Sequence, residues 1–156
     1  MTKPNPKRMN LETSNTREAK FELVEKYMVP LSNMITFKPE QSIQEVIAAI
    51  IDKKISGAPV LDERNHLVGI ISEKDCLRLI VDQAYHNMPA ETRRVSDYMT
   101  AKVQTLSPKT SVVEAANEFL NSPMRRFPVV ENGTLLGQVS RRDILRAAQN
   151  IKPSTS

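Results

Sequence analysis

With 156 residues, 40% of them hydrophobic and 26% charged, the chain reads as a soluble globular protein holding one ordinary domain or two very small ones. No apolar run of about eighteen residues exists to span a membrane, and the polar N-terminus lacks the apolar stretch of a secretory signal, so a cytoplasmic location is expected. A single cysteine, Cys76, excludes an internal disulfide, and together with only two histidines it excludes a Cys/His zinc cluster within the chain.

Of the net charge of +4, three units fall in the first twenty residues, where Lys3, Lys7, Arg8, Arg17 and Lys20 outnumber Glu12 and Glu18. Residues 1–20 are therefore a basic tail on a nearly neutral body. With 4% aromatic residues and no Trp, little is available for stacking nucleobases, and no specific nucleic-acid partner is expected.

From residue 21 onward the chain repeats itself. A lead-in ending Tyr27-Met28 precedes a short strand over 34–37. Ser42-Ile43-Gln44-Glu45 then forms a capping box, in which the Ser hydroxyl takes a helix N–H and the Glu reaches back. Ile43, Val46, Ile47, Ile50 and Ile51 follow at the spacing of one buried helical face. Strands over 58–61 and 67–71 flank the polar loop Asp62–His66, and Ser72 caps a second helix whose apolar stripe is Leu77, Ile80, Val81 and Ala84. Met88-Pro89-Ala90 breaks that helix in a linker over 85–93.

The second half reproduces this order. Thr36-Phe37-Lys38-Pro39 returns 69 residues later as Thr105-Leu106-Ser107-Pro108, and Gly69, Ser72 and Asp75 return 68 later as Gly137, Ser140 and Asp143. Tyr98-Met99 repeats the lead-in, a strand over 103–106 follows, and Ser111-Val112-Val113-Glu114 is a second capping box. The next helix carries Val112, Ala115, Ala116, Phe119 and Leu120. Strands over 127–130 and 135–139 are joined by Asn132-Gly133, a hairpin signal, and the last helix carries Ile144, Ala147 and Ala148. The expected organisation is a first repeat over 21–84, a linker over 85–93, a second repeat over 94–150 and a disordered tail over 151–156. One such repeat is too small to bury much core alone. The pattern predicts an α/β protein: two βαββα-type repeats packed sheet to sheet about a pseudo-twofold axis.

Gly69-Ile70-Ile71-Ser72-Glu73-Lys74-Asp75 and Gly137-Gln138-Val139-Ser140-Arg141-Arg142-Asp143 resemble the Gly-h-h-Ser/Thr-x-x-Asp signature of cystathionine-β-synthase (CBS) domains. Ile55-Ser56-Gly57-Ala58-Pro59-Val60 and Met124-Arg125-Arg126-Phe127-Pro128-Val129 resemble the strand upstream of it. The resemblance covers nearly all of 21–150, as a stand-alone tandem pair. It implies two clefts between the repeats that hold adenosine-containing ligands (AMP, ADP, ATP or S-adenosylmethionine), no required cofactor, and a homodimer forming a flat disc of four motifs. By the same resemblance, Asp75 or Asp143 accepts the ribose hydroxyls and Ser72 or Ser140 donates to a phosphate. The backbone at Gly57, Ala58 and Pro59, and at Arg126, Phe127 and Pro128, would meet the adenine, while Thr36 and Thr105 would lie near the ribose or phosphate. Arg141 and Arg142 stand where a phosphate would sit, favouring a more anionic ligand at Asp143 than at Asp75, where Glu73 precedes Lys74.

Ser-x-x-Asp is also a capping box, and capping alone would explain both motifs. The functional reading is a regulatory module that senses an adenosyl ligand and reports to a regulated protein. Its alternatives are a structural or dimerisation module with empty clefts and, more weakly, nucleic-acid binding through the tail. No catalytic constellation accompanies Cys76, which reads as a small core residue, so enzymatic activity is not expected.

Overall fold

The computed structural model describes residues 22–150; both expected tails lie outside the described residues. In chain order, a short strand β1 (Val29–Pro30) precedes helix α1 (Ile43–Lys53), strands β2 (Gly57–Leu61) and β3 (Leu67–Ser72), and helix α2 (Glu73–Tyr85). A four-residue helix α3 (Val95–Tyr98) opens the second half. Helix α4 (Val112–Leu120), strands β4 (Arg126–Glu131) and β5 (Thr134–Ser140), and helix α5 (Arg141–Gln149) complete it. Each hairpin pairs antiparallel, and Asn132 and Gly133 both have positive φ, as the tight turn between β4 and β5 requires.

The described chain forms two compact bodies. One is built on repeat one, from residues 32–104 with the hairpin tip 130–135; the other is built on repeat two, from residues 22–31, 105–129 and 136–150. Their cores match position by position. Phe37, Ile43, Val46, Ala58, Val60, Ile71, Cys76 and Leu79 fill the first, and Leu106, Val112, Ala115, Phe127, Val129, Val139, Ile144 and Ala147 fill the second. Volume is redistributed between them. Ala58 in the first corresponds to Phe127 in the second, where Val46 and Leu79 shrink to Ala115 and Ala147. Close packing demands such compensation. Phe127 stacks on Phe119 at 4.5 Å between ring centroids.

The lead-ins are exchanged. Val24, ahead of Tyr27-Met28, is buried in the repeat-two core, whereas Val95 and Tyr98 are buried in the repeat-one core. β1 pairs with β5 through Val29 and Gln138 and through Pro30 and Gly137, while Thr100 and Ile70 exchange both backbone hydrogen bonds at 2.8 and 2.9 Å. This explains the glycine of each signature. A Cβ on Gly137 would lie 2.3 Å from the Val29 carbonyl oxygen, and one on Gly69 would lie 2.9 Å from that of Thr100. Only glycine lets the lead-in cross so closely.

Three local expectations are corrected. The strands at 34–37 and 103–106 contract to single parallel bridges, Phe37 with Val60 and Leu106 with Val129, because Pro39 and Pro108 cannot donate to extend the ladder. The capping boxes at Ser42 and Ser111 are half made. Their hydroxyls accept from the amides of Gln44 and Glu114, but neither Glu returns a bond, and Glu45 accepts from Gln41 instead. The lead-ins occupy the backbone there, Ser42 bridging Arg94 and Ser111 bridging Leu23. Finally, parts of the expected buried faces are exposed: Ile51 on α1, Leu120 on α4, and Leu77, Ile80, Val81 and Ala84 on α2, whose buried residues are Asp75, Cys76 and Leu79.

Gly137→Ala is expected to destabilise the fold by about 1–3 kcal/mol, since the methyl group meets backbone rather than a movable side chain. Urea unfolding measures it, and an unchanged midpoint would show that the crossing tolerates a Cβ.

Candidate functional site

The two Ser-x-x-Asp motifs form complete capping boxes at the N-termini of α2 and α5. Each strand delivers its serine in extended conformation, so that the Ser oxygen accepts from the Asp amide while the Asp carboxylate accepts from the Ser amide. The distances are 3.1 and 3.0 Å for Ser72 and Asp75, and 3.2 and 2.8 Å for Ser140 and Asp143. Both aspartates are buried, the only charged residues in the described cores.

The boxes use one carboxylate oxygen each. Oδ2 of Asp75 accepts from the Ser72 amide and from the Ser72 hydroxyl, the latter at 2.9 Å, and Oδ2 of Asp143 accepts from the Ser140 amide. Oδ1 is engaged differently in each body. Asp75 Oδ1 accepts from the Thr100 hydroxyl at 3.4 Å, whereas Asp143 Oδ1 pairs with Arg146 at 3.2 Å. A carboxylate has about four acceptor positions, so Oδ1 retains capacity for a further hydroxyl donor.

The donors are partly spoken for. The first helical amides, of Glu73 and Arg141, donate to the carbonyls of Ser56 and Arg125 at 2.9 and 3.1 Å. The amides of Asp75 and Asp143 serve the boxes, which leaves Lys74 and Arg142 to supply first-turn N–H groups to an anion. The Ser72 hydroxyl donates to Asp75 Oδ2 at 2.9 Å, so to donate to a phosphate it would turn its proton away from the carboxylate. Ser140 shows only an acceptor role, and its proton is uncommitted.

The remaining expected residues fall around these termini within each body. Gly57, Ala58 and Pro59 begin β2, and Gly57 stands opposite Ser72 in register. Arg126, Phe127 and Pro128 begin β4 in the same way. The side chains of Ala58 and Phe127 turn into the cores, and Pro59 and Pro128, on the opposite strand face, are buried as well. The Pro59 and Pro128 carbonyls accept from the amides of Phe37 and Leu106 at 3.0 and 2.9 Å, which sets Thr36 and Thr105 beside them. Thr36 is half-buried and Thr105 exposed. Arg126, Arg141 and Arg142 are exposed, as is Arg125. No group of His, Cys, Asp and Glu side chains suited to a metal ion occurs among the described residues.

Sequence reasoning missed Thr100 and Arg146. Arg146 was within reach of it, lying three residues after Asp143 on one helix. Thr100 arrives through the exchanged lead-in, which no local pattern announces. That lead-in is also latched to α2. The Tyr98 hydroxyl donates to Asp82 at 2.6 Å and accepts from Arg93 at 3.3 Å. Burial, and then the hydrogen bond to Asp82, push the Tyr98 phenol upward.

Burial, reinforced by the charges of Asp75 and Glu73, pushes the Cys76 thiol up to about 11 from its ordinary 9.0. The neutral thiol is favoured in the folded state. Its contribution to stability is therefore present below pH 9.0 and lost as pH rises towards 11. Cys76 is expected to resist thiol reagents in the native protein and to react on unfolding; rapid modification of the native chain would place it outside the core.

The family model described as CBS domain matches residues 24–82 and 95–150. The CBS domain-containing protein CBSX2 of Arabidopsis thaliana, a chloroplastic protein, is 29% identical over 153 residues, covering 83% of this chain and 64% of the relative. An uncharacterized protein of Methanocaldococcus jannaschii is 30% identical over 114 residues, covering 73% of this chain and 39% of its own length. The chain thus spans less than two thirds of these relatives. A crystal structure of CBSX2 in complex with AMP superposes with a TM-score of 0.73 at 31% identity, covering 83% of this chain and 98% of that one. CbpB, solved with c-di-AMP, has a TM-score of 0.77 at 15% identity, covering 91% and 94%, and attests to the fold.

Proposed function

Since the chain belongs to the CBS domain family, as two such domains in tandem, we propose that it is a regulatory module binding an adenosine-containing nucleotide: AMP, ADP, ATP or S-adenosylmethionine. The observation that carries this reading is the division of labour in Asp75 and Asp143, where Oδ2 closes the helix and Oδ1 keeps acceptor capacity suited to ribose hydroxyls. The AMP complex of CBSX2, 31% identical, supports the same ligand class. Binding does not turn the ligand over; it biases a conformational equilibrium that a regulated protein reads.

The two sites differ in charge. At Asp143, Arg141, Arg142, Arg125 and Arg126 gather near a helix N-terminus where the Ser140 hydroxyl is uncommitted, a setting for phosphate. At Asp75 the corresponding helix begins with Glu73. We assign AMP, ADP or ATP to the Asp143 site, and weaker binding or a less anionic adenosyl ligand to the Asp75 site.

The second reading, a structural module with empty sites, is favoured by one observation: both boxes are complete within the protein. The same chain is proposed to form a homodimer, because Leu77, Ile80, Val81, Leu120 and Leu145 lie exposed on its helices. Sedimentation at micromolar concentration is expected to show the dimer, and a monomer would refute it.

Asp143→Ala is expected to weaken ATP and AMP binding ten- to hundredfold, about 1.5–3 kcal/mol, and Asp75→Ala to cost less. Calorimetric titration measures both, with melting temperatures as a check on the lost cap. If neither substitution alters binding, the carboxylates only cap helices. If Asp75→Ala alone abolishes it, the assignment of sites is reversed.

A further inference from the structure

The two buried carboxylates share a capping geometry but not a counter-charge. Asp143 Oδ1 is paired with Arg146 at 3.2 Å; the Asp143 side chain is 5% exposed and that of Arg146 63%, so a surface guanidinium reaches a buried carboxylate. Repeat one carries the same arginine without the contact. Arg78 lies three residues after Asp75, as Arg146 lies three after Asp143, yet it is exposed and makes no ion pair among the described residues. The lead-ins account for the difference. Thr100 exchanges backbone hydrogen bonds with Ile70, five residues before Asp75, and its hydroxyl donates to Oδ1 at 3.4 Å. Val29 pairs with Gln138, five residues before Asp143, and so holds the position of Thr100 with no hydroxyl to offer. Oδ1 of Asp143 is left to the arginine. Asp75 thus has a neutral partner there and Asp143 a cationic one.

We propose that Arg146 is a specificity-determining residue of the Asp143 site, selecting phosphorylated over unphosphorylated adenosyl ligands by offsetting the charge of the carboxylate that receives the ribose. This rests on the nucleotide-binding reading above and names a residue that sets the choice of ligand. The first phosphate on a ribose held by Asp143 stands within a Debye length, about 8 Å, of that carboxylate, and the two repel. The Arg146 guanidinium offsets this repulsion at its source. It does so without taking the place of the ribose, since a carboxylate oxygen has two lone pairs and the ion pair engages one. At Asp75, Thr100 brings no charge, so the repulsion stands, and Glu73 in the first turn adds to it. Arg141 and Arg142 attract a phosphate from the helix N-terminus; Arg146 removes what repels it.

Arg146→Gln keeps a hydrogen-bond donor and removes the charge, whereas Arg146→Lys keeps the charge. ATP and adenosine are titrated calorimetrically into each full-length chain, with adenosine also measured by its competition against ATP. Arg146→Gln is expected to weaken ATP binding about tenfold, or about 1.4 kcal/mol, and to leave adenosine within about twofold of the parent. Arg146→Lys is expected to retain most of the preference for ATP, and Arg78→Gln to leave it unchanged. Equal losses for ATP and adenosine would make Arg146 a prop for the carboxylate and overturn the proposal, as would an ATP affinity unmoved by Arg146→Gln. A preference lost in Arg146→Lys as well, or lost equally in Arg78→Gln, would contradict the offset of charge at Asp143 as its cause. A parent chain that binds ATP while any of these results is found overturns this inference alone. A parent chain that binds no adenine nucleotide overturns the nucleotide-binding reading and this inference together.

Discussion

The carboxylates of Asp75 and Asp143 are held by the helices they begin. Each closes a capping box through Oδ2, and this fixes the direction of Oδ1 more tightly than a free side chain would be fixed. Capping and ligand binding are therefore not rival explanations of the motif. A buried carboxylate is costly unless hydrogen-bonded, and the box supplies those bonds before any ligand arrives. The proposed ligand site would thus be preorganised by an interaction that also contributes to stability.

The boxes depend in turn on how the strands reach them. β3 and β5 must come close to a crossing lead-in, which they do at Gly69 and Gly137. The crossing places Thr100 on Asp75 Oδ1 and buries Tyr98 beneath α2. Because Val24 belongs to one core and Val95 to the other, each compact body draws on a segment that precedes the other repeat. The core of one repeat alone would be incomplete, the condition under which small repeats fold only together.

Much of this was legible in the sequence. The apolar spacing of Ile43, Val46, Val112 and Ala115 marked core faces, and Asn132-Gly133 marked a turn that has the required positive φ. The spacing of Leu77, Ile80 and Val81 was equally regular and pointed the wrong way. Periodicity marks an apolar face but not whether it meets its own core. On α2 the inward face begins with Asp75, which no hydrophobic pattern selects, and with Cys76, which alone read as a core residue there. The serine–aspartate pairs were found because a capping box demands these residues at this spacing. Thr100 was not, since only the exchange of lead-ins brings it there. Comparison with CBS domain relatives places the motifs in a family but leaves the contrast between Arg146 at one carboxylate and Thr100 at the other as a feature of this chain's own structure.

The central claim is that a carboxylate already engaged in capping also receives the ligand. A crystal structure of the chain grown with AMP tests it most directly. The account predicts ribose hydroxyls on Oδ1 of Asp143 or Asp75, with Oδ2 still on the amide of Ser140 or Ser72. AMP bound elsewhere, or both aspartates without a nucleotide at saturating AMP, would contradict it.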